Sequence, residues 1–299
     1  MKNYKINSFL LLLTLFTFSC VPKEDENCSK DKNNSTNAKC ESDNTTPSEP
    51  PTSTPSEPAE PSTPNEPTTP NEQTIKESFF SPWNKSGTSI VIDAYEGNSI
   101  DWNKMATDTK VVGVIHRSSI GTRVDTQYKA RKKIATERGY LWGAYHLGSR
   151  GNTIAQADLF LSLVEDDPET LMILDLEDTN ASKLMTVEEA VIFMNRVYEK
   201  TGRIPVVYAN HSVTNILNQK VKNNPLFQQS KLWYARFKSS IPDFPVGIWK
   251  NYFLWQFSSE INCSSTGSCL YNVPGTKFDM DVNVFYGSPT ELQAQWHND

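Results

Sequence analysis

The stretch Leu171-Met172-Ile173-Leu174-Asp175-Leu176-Glu177 decides how this chain is read. An apolar run of this length suits a strand of a buried parallel sheet, whose strands are apolar on both faces. Side chains alternate along a strand, so Asp175 and Glu177 share one face and Leu176 takes the other. Charged residues are rare in apolar strands unless they have partners or a chemical task. Two carboxylates this close are expected to repel, to separate their pKa values and to leave one protonated near neutral pH.

Outward from that strand, similar apolar runs occupy 89–95, 110–117, 140–147, 204–210, 231–237, 252–257 and 278–285. Amphipathic helical patterns lie between them. The clearest begins at Thr186, with Glu189 three residues on in capping-box spacing, and Gly202 stands where a C-terminal cap is expected. Val187, Ala190, Val191, Met194, Val197 and Tyr198 fall on one face of it. The segments 125–138 and 153–164 are similar but less regular. Strand–helix alternation, followed by strands close together, predicts an α/β fold: a flattened TIM-like β/α barrel with an irregular last third. A doubly wound open sheet is the alternative. No Gly-x-Gly-x-x-Gly turn follows the first strand, so a dinucleotide site is unsupported.

In a β/α barrel the reactive groups gather at the C-terminal ends of the strands. Asp93 follows Ile90-Val91-Ile92, and Asp279 and Asp281 flank Met280 in the last run. Together with Asp175 and Glu177 these acids suit glycosidic-bond cleavage, which needs one acid to protonate the leaving oxygen and one ionised partner. Trp102, Trp142, Tyr145, Tyr208, Trp233, Tyr234 and Trp255 lie on or near the same strands. Most large aromatics are core, yet a carbohydrate cleft would stack sugar rings on some of them. Tyr208 and Trp255 are favoured because the polar residues Asn210 and Gln256 accompany them; Tyr145, Asn210 and Arg117 complete the expected substrate-binding set.

The N-terminal part has another character. Lys2 and Lys5 precede an apolar run, Phe9 to Phe16, that is too short to span a bilayer, and Ser19 precedes Cys20. This resembles a bacterial lipoprotein signal: residues 1–19 would be removed and Cys20 lipidated. Residues 20–78 are then a polar, Pro/Ser/Thr/Glu-rich segment with near-repeats at 47–50, 55–58 and 64–67. Such composition buries too little apolar surface to offset ordering entropy, so a disordered, extended spacer is expected. It leaves 79–299 as the catalytic domain. Setting Cys20 aside, the remaining cysteines form two local pairs, Cys28 with Cys40 and Cys263 with Cys269, as suits an oxidising compartment. No histidine lies near either pair, so a metal site is not expected. The net charge of −6 offers no basic stripe for nucleic acid.

The motifs of the domain, taken in order, resemble the glycoside hydrolase family 25 muramidases, or Chalaropsis-type lysozymes. They are Asp93-Ala-Tyr-Glu-Gly97 with Asp101-Trp102, Gly143-Ala-Tyr-His146 with Gln156-Ala157 and Phe160, and Leu174-Asp-Leu-Glu177. Pro205-Val-Val-Tyr-Ala-Asn210, Leu232-Trp-Tyr-Ala235, Trp255-Gln256 and Met280-Asp-Val-Asn-Val-Phe285 follow. The resemblance implies hydrolysis of the β-1,4 bond between N-acetylmuramic acid and N-acetylglucosamine, without metal or cofactor. It implies Glu177 as proton donor and Asp175 as the group that orients a reacting 2-acetamido group. Asp93 and Asp281 match further acids of the cleft, and Tyr208 matches a tyrosine near the acetamido group. The chain departs from the pattern at His116-Arg-Ser-Ser-Ile-Gly121, where Arg117 fills a basic position but the following acid is missing. The stretch 258–277, with its two cysteines, is longer than usual and is expected to reshape the cleft. The expected partners are bacterial peptidoglycan and, through the N-terminal lipid, a membrane of the cell envelope; the expected state is a monomer. The rivals are a non-catalytic wall-binding lipoprotein and a hydrolase of another amino-sugar polymer.

Overall fold

The structure, a computed structural model, describes residues 77–264 and 266–297. The leader 1–19, Cys20, the Cys28–Cys40 pair and nearly all of the 20–78 segment lie outside the described residues.

Among the described residues the strands are β1 (Ser89–Ala94), β2 (Val111–Ile120), β3 (Arg123–Val124), β4 (Leu141–Leu147), β5 (Leu171–Leu176), β6 (Val206–Asn210), β7 (Leu232–Ala235), β8 (Leu254–Ser258) and β9 (Asp281–Phe285). They form one sheet in the order β1-β9-β8-β7-β6-β5-β4-β2-β3, and β1 also pairs with β2, so eight strands close into a barrel. Neighbours are parallel from β1 through β2 and β4 round to β8. The closing strand β9 runs antiparallel to both β8 and β1. β3 is a two-residue flap on the end of β2.

The eight apolar runs are these eight ring strands. Helices α1 (Trp102–Met105), α2 (Tyr128–Glu137), α3 (Thr153–Val164), α4 (Val187–Thr201), α5 (His211–Lys220) and α6 (Pro225–Gln229) lie in the connections before β7. Among the described residues none intervenes between β7 and β8 or between β8 and β9, which makes the last third irregular; α7 (Pro289–Ala294) follows β9. The capping box forms as the spacing predicts, with Thr186 Oγ1 accepting from the Glu189 N–H and Glu189 Oε2 from the Thr186 N–H. Gly202 ends the helix at φ 69°, a conformation open to glycine without a Cβ clash. The buried face is turned from the one expected: Phe193 is fully buried, whereas Tyr198 is 45% exposed.

Strand alternation divides the core in two. Val91, Ile115, Leu171, Ile173, Val206, Trp233, Leu254 and Phe285 point into the barrel, where Leu292 and Trp296 join them. Ile90, Ile92, Met172, Leu174, Val207 and Trp255 point outward, most of them beneath the helices. Gly143 keeps the interior open, since a Cβ there would come within 2.9 Å of Ile115 Cγ1.

Candidate active site

Each inward row changes character as it rises towards the C-terminal ends of the parallel strands. Val91 is followed two residues on by Asp93, Ile115 by Arg117, Ile173 by Asp175, Val206 by Tyr208 and Leu254 by Gln256. On the antiparallel β9 the same rise runs backwards, from Phe285 through Asn283 to Asp281. The period of two thus brings Asp93, Asp175, Tyr208 and Asp281 together on one end of the barrel.

Above them opens a cavity of about 470 Å³, whose lining includes Tyr95, Glu177, Tyr208, Gln256, Glu260 and Asp281. A second lobe of about 420 Å³ adjoins it, and the two share Glu177, Asp178, Asn210, Ala235 and Phe237. The lobes are two arms of one groove that meet at Glu177. A groove of this kind can hold a polymer on both sides of the bond to be cut.

Glu177 stands one residue beyond β5, exposed to the groove water yet set in a concave protein wall. That partial burial raises its pKa, and the Arg117 charge works against the rise. Asp175 lies below it, 6% exposed, with no hydrogen-bond partner for its Oδ1 among the described residues. Burial first, then the charges of Glu177 and Asp93, raise Asp175 well above the usual carboxylate range. Repulsion within the pair contributes, the Glu177 charge being the second cause of the rise at Asp175, but loss of solvent is the first cause for each. Asp281 is likewise raised well by burial and then by Asp93.

Asp93 is held by two side-chain amides. Gln256 Nε2 donates to both its oxygens (3.2 and 3.0 Å), and Asn283 Nδ2 donates to Oδ2 at 2.7 Å. Burial lifts it to about 6, and these two amides restrain the rise. Their other ends extend the network: Trp233 Nε1 donates to Asn283 Oδ1 at 2.6 Å, and Tyr208 Oη donates to Gln256 Oε1 at 2.8 Å. The Tyr208 ring meets Trp233 edge to face at 4.6 Å, and Tyr145 meets Trp233 edge to face at 6.2 Å. Gln256 and Asn283 therefore belong to the site, although neither was singled out as a site residue. For Asn283 the available signal was its alternation with Asp281 between apolar Val282 and Val284.

Two expected residues are placed otherwise. Trp255 does not reach the groove: it is fully buried on the outer side of β8, packs edge-on against Trp83 at 5.4 Å and donates from Nε1 to the Arg236 carbonyl at 2.8 Å. The reason is parity, because Leu254 and Gln256 take the inward positions of that strand. Asn210 does line both lobes, but its amide is engaged within the protein, with Oδ1 accepting from the Val213 N–H and Nδ2 donating to the Glu177 carbonyl.

Arg117 sits beside the groove, its guanidinium 4.8 Å from the centre of the Tyr95 ring. The acid missing from the next positions in sequence is replaced in space. Asp125 accepts from Arg117 Nε at 3.2 Å, and Glu96 lies 3.4 Å from the same guanidinium. A register shift between Arg117 and Ser119 accommodates this local departure in β2. The Cys263–Cys269 disulfide forms, and just before it Ser259, Glu260 and Ile261 line the larger lobe.

Solved structures share this fold. The bacterial lysozyme of Streptomyces coelicolor has 24% sequence identity and a TM-score of 0.57, with 72% of this chain and 99% of that one covered. The GH25 lysozyme of Aspergillus fumigatus has 24% identity and a TM-score of 0.56 over 70% and 99%. The muramidase of Acremonium alcalophilum has 24% identity and a TM-score of 0.55 over 71% and 100%. No curated protein matches the sequence. The decisive match is to the family profile of the glycosyl hydrolases family 25, which spans residues 92–266 and so takes in Asp93, Asp175, Glu177, Tyr208 and Gln256. With over half of its 299 residues in that match and the family's barrel around its acids, the chain belongs to glycosyl hydrolases family 25.

Proposed function

We propose that the domain is an N-acetylmuramidase that hydrolyses the β-1,4 bond between N-acetylmuramic acid and N-acetylglucosamine in peptidoglycan. The observation that carries this reading is Glu177, an acid of raised pKa at the junction of two groove arms, directly above the buried Asp175. A carboxyl that keeps its proton above the usual range is suited to protonate the departing glycosidic oxygen. Asp175, two residues before Glu177 on the same inward row and 6% exposed, is the group that orients the 2-acetamido substituent, whose oxygen attacks the anomeric carbon as the bond breaks. Water then opens the resulting ring, with Glu177 taking back a proton. Tyr208 stands beside this point with its hydroxyl proton directed to Gln256, so its oxygen lone pairs remain for the substrate. Family membership and the lysozyme and muramidase structures of the same fold support this reading.

The purified protein is expected to clear a peptidoglycan suspension and to release new reducing ends on muramic acid. Glu177→Gln should lower that rate by a factor of about 10² or more, the usual range for a general acid. Undiminished release by the variant would remove Glu177 from the role, and binding without new reducing ends would favour a wall anchor.

The leader-like segment, Cys20 and the Cys263–Cys269 disulfide together support export to the cell envelope, with a lipid on Cys20 holding the enzyme at a membrane. Cys20→Ser should move the protein from the membrane fraction to the soluble one, and its retention on membranes would overturn the anchor.

A further inference from the structure

The general acid stands where the sheet has already ended. β5 and β6 are paired through Asp175–Tyr208 and Leu176–Ala209, and the next residues on the two strands are Glu177 and Asn210. Glu177 therefore takes no part in the ladder. Beyond it the chain turns away, with Asp178 Oδ1 accepting from the backbone N–H groups of Asn180 (2.9 Å) and Ala181 (3.3 Å). What meets the Glu177 carbonyl is a side chain: Asn210 Nδ2 donates to it at 2.7 Å.

Both ends of that amide are committed. Asn210 is the N-cap of α5, and its Oδ1 accepts from the Val213 N–H at 3.0 Å. Because the Val213 N–H can only donate, it fixes which end of the amide is oxygen and leaves the NH2 for Glu177. The Asn210 carbonyl in turn accepts from Thr214 Oγ1 at 2.8 Å, which ties the residue to the first turn of the helix. A helix cap and the placement of an acid are thus one hydrogen-bonded unit.

We propose that Asn210 is a positioning residue for the general acid: by holding the backbone carbonyl of Glu177 it continues the β5–β6 ladder by one bond and sets where the carboxyl enters the groove. This rests on Glu177 being the acid of the proposed reaction. The same bond holds the carboxyl in its partly desolvated place. An acid released towards open water would lose its alignment with the glycosidic oxygen and would titrate nearer the ordinary glutamate range.

The test compares kcat, KM and the pH dependence of kcat/KM for the full chain and its variants Asn210→Ser and Asn210→Asp on peptidoglycan, with Glu177→Gln as reference. Serine and aspartate both cap helices well, but aspartate has no donor for the Glu177 carbonyl, and the single hydroxyl of serine, once it caps Val213, lies one atom short of the place from which the Asn210 amide nitrogen donates. Both should keep the melting temperature near that of the parent and lose about tenfold or more in kcat, a loss of the size that misplacement produces. KM should change little. The alkaline limb should move to lower pH in Asn210→Ser, as the freed acid is solvated. It should move to higher pH in Asn210→Asp, where a new negative charge opposes ionisation. Unchanged kcat and an unchanged alkaline limb in both variants would overturn the proposal, and so would a loss confined to KM, which would make Asn210 a direct substrate contact. If Glu177→Gln keeps full activity, the assignment of the acid has failed instead and takes this proposal with it.

Discussion

Asp175 shows at the scale of one residue what the site costs the fold. Its carboxyl is buried, lacks a hydrogen-bond partner for Oδ1 among the described residues, and faces the charges of Glu177, Asp93 and Asp281. Its folded pKa is therefore raised well above the model-peptide value of about 3.9. The sign follows from linkage: above that ordinary value the unfolded chain releases a proton that the folded chain retains, so stability falls as pH rises towards the folded pKa. Below the ordinary value both states are protonated and the penalty vanishes. Asp175→Asn should accordingly raise the melting temperature at pH 7, lose that advantage by about pH 3, well below the ordinary value, and cut the hydrolytic rate at every pH. A gain in stability that persists undiminished at the acidic end would show that charge is not the cause. Much of the site was legible at this scale because i and i+2 share a face: Asp93, Asp175 and Tyr208 each stand two residues above an inward apolar residue. Trp255 was placed wrongly for the same reason, since a polar neighbour says nothing of the face, whereas parity with Leu254 and Gln256 does.

Among the elements, what the sequence carried locally came through and what depended on distant partners did not. The run 153–164 coincides with α3, and the Thr186 box and Gly202 bracket α4 as local hydrogen bonding and glycine geometry require. The segment from 125 becomes helical only at Tyr128, because the Asp125 carboxylate is drawn to Arg117, the Glu96 N–H and the Gln127 N–H. The Gln127 contact is local, but no local pattern announces the other two partners. The two-residue β3 is too short to show a period, and the antiparallel sense of β9 is set by closure of the ring rather than by its own alternation. The His146 and Gln156 motif also proves to be structural. His146 Nε2 lies 3.0 Å from Gln156 Oε1, which also accepts from the Ser149 N–H, while Gln156 Nε2 donates to the Ser149 carbonyl. With His146 Nδ1 2.8 Å from Ser119 Oγ, the cluster looks like a nucleophilic dyad, yet all three side chains are buried on the outer side of the barrel, away from the groove. It locks the turn between β4 and α3, and thereby the end of a strand that carries Tyr145.

Taken whole, the domain of described residues is a barrel graded from an apolar base to an acidic mouth, and the two ends answer to different demands. At the mouth, unpartnered or crowded carboxylates lower stability in exchange for chemistry. At the base, Trp296 enters the interior between Phe253 and the strands β2 and β4, 1% exposed, with Nε1 donating to the Trp142 carbonyl at 2.8 Å. Its ring lies so near Gly113 that a Cβ there would come within 3.3 Å of it, so the opening is shaped to the indole. Trp296→Ala should cost about 3–5 kcal/mol through lost burial and the cavity left behind, and should lower the melting temperature by about 6–20 °C for a domain of this size. The specific activity of the protein that remains folded should not change, because the groove lies at the opposite ends of the strands. Thermal unfolding and activity measured on the same preparation check both halves. A loss of activity well below the melting transition would mean that base and mouth are coupled through the barrel, and that the two ends do not divide stability from catalysis as their side chains indicate.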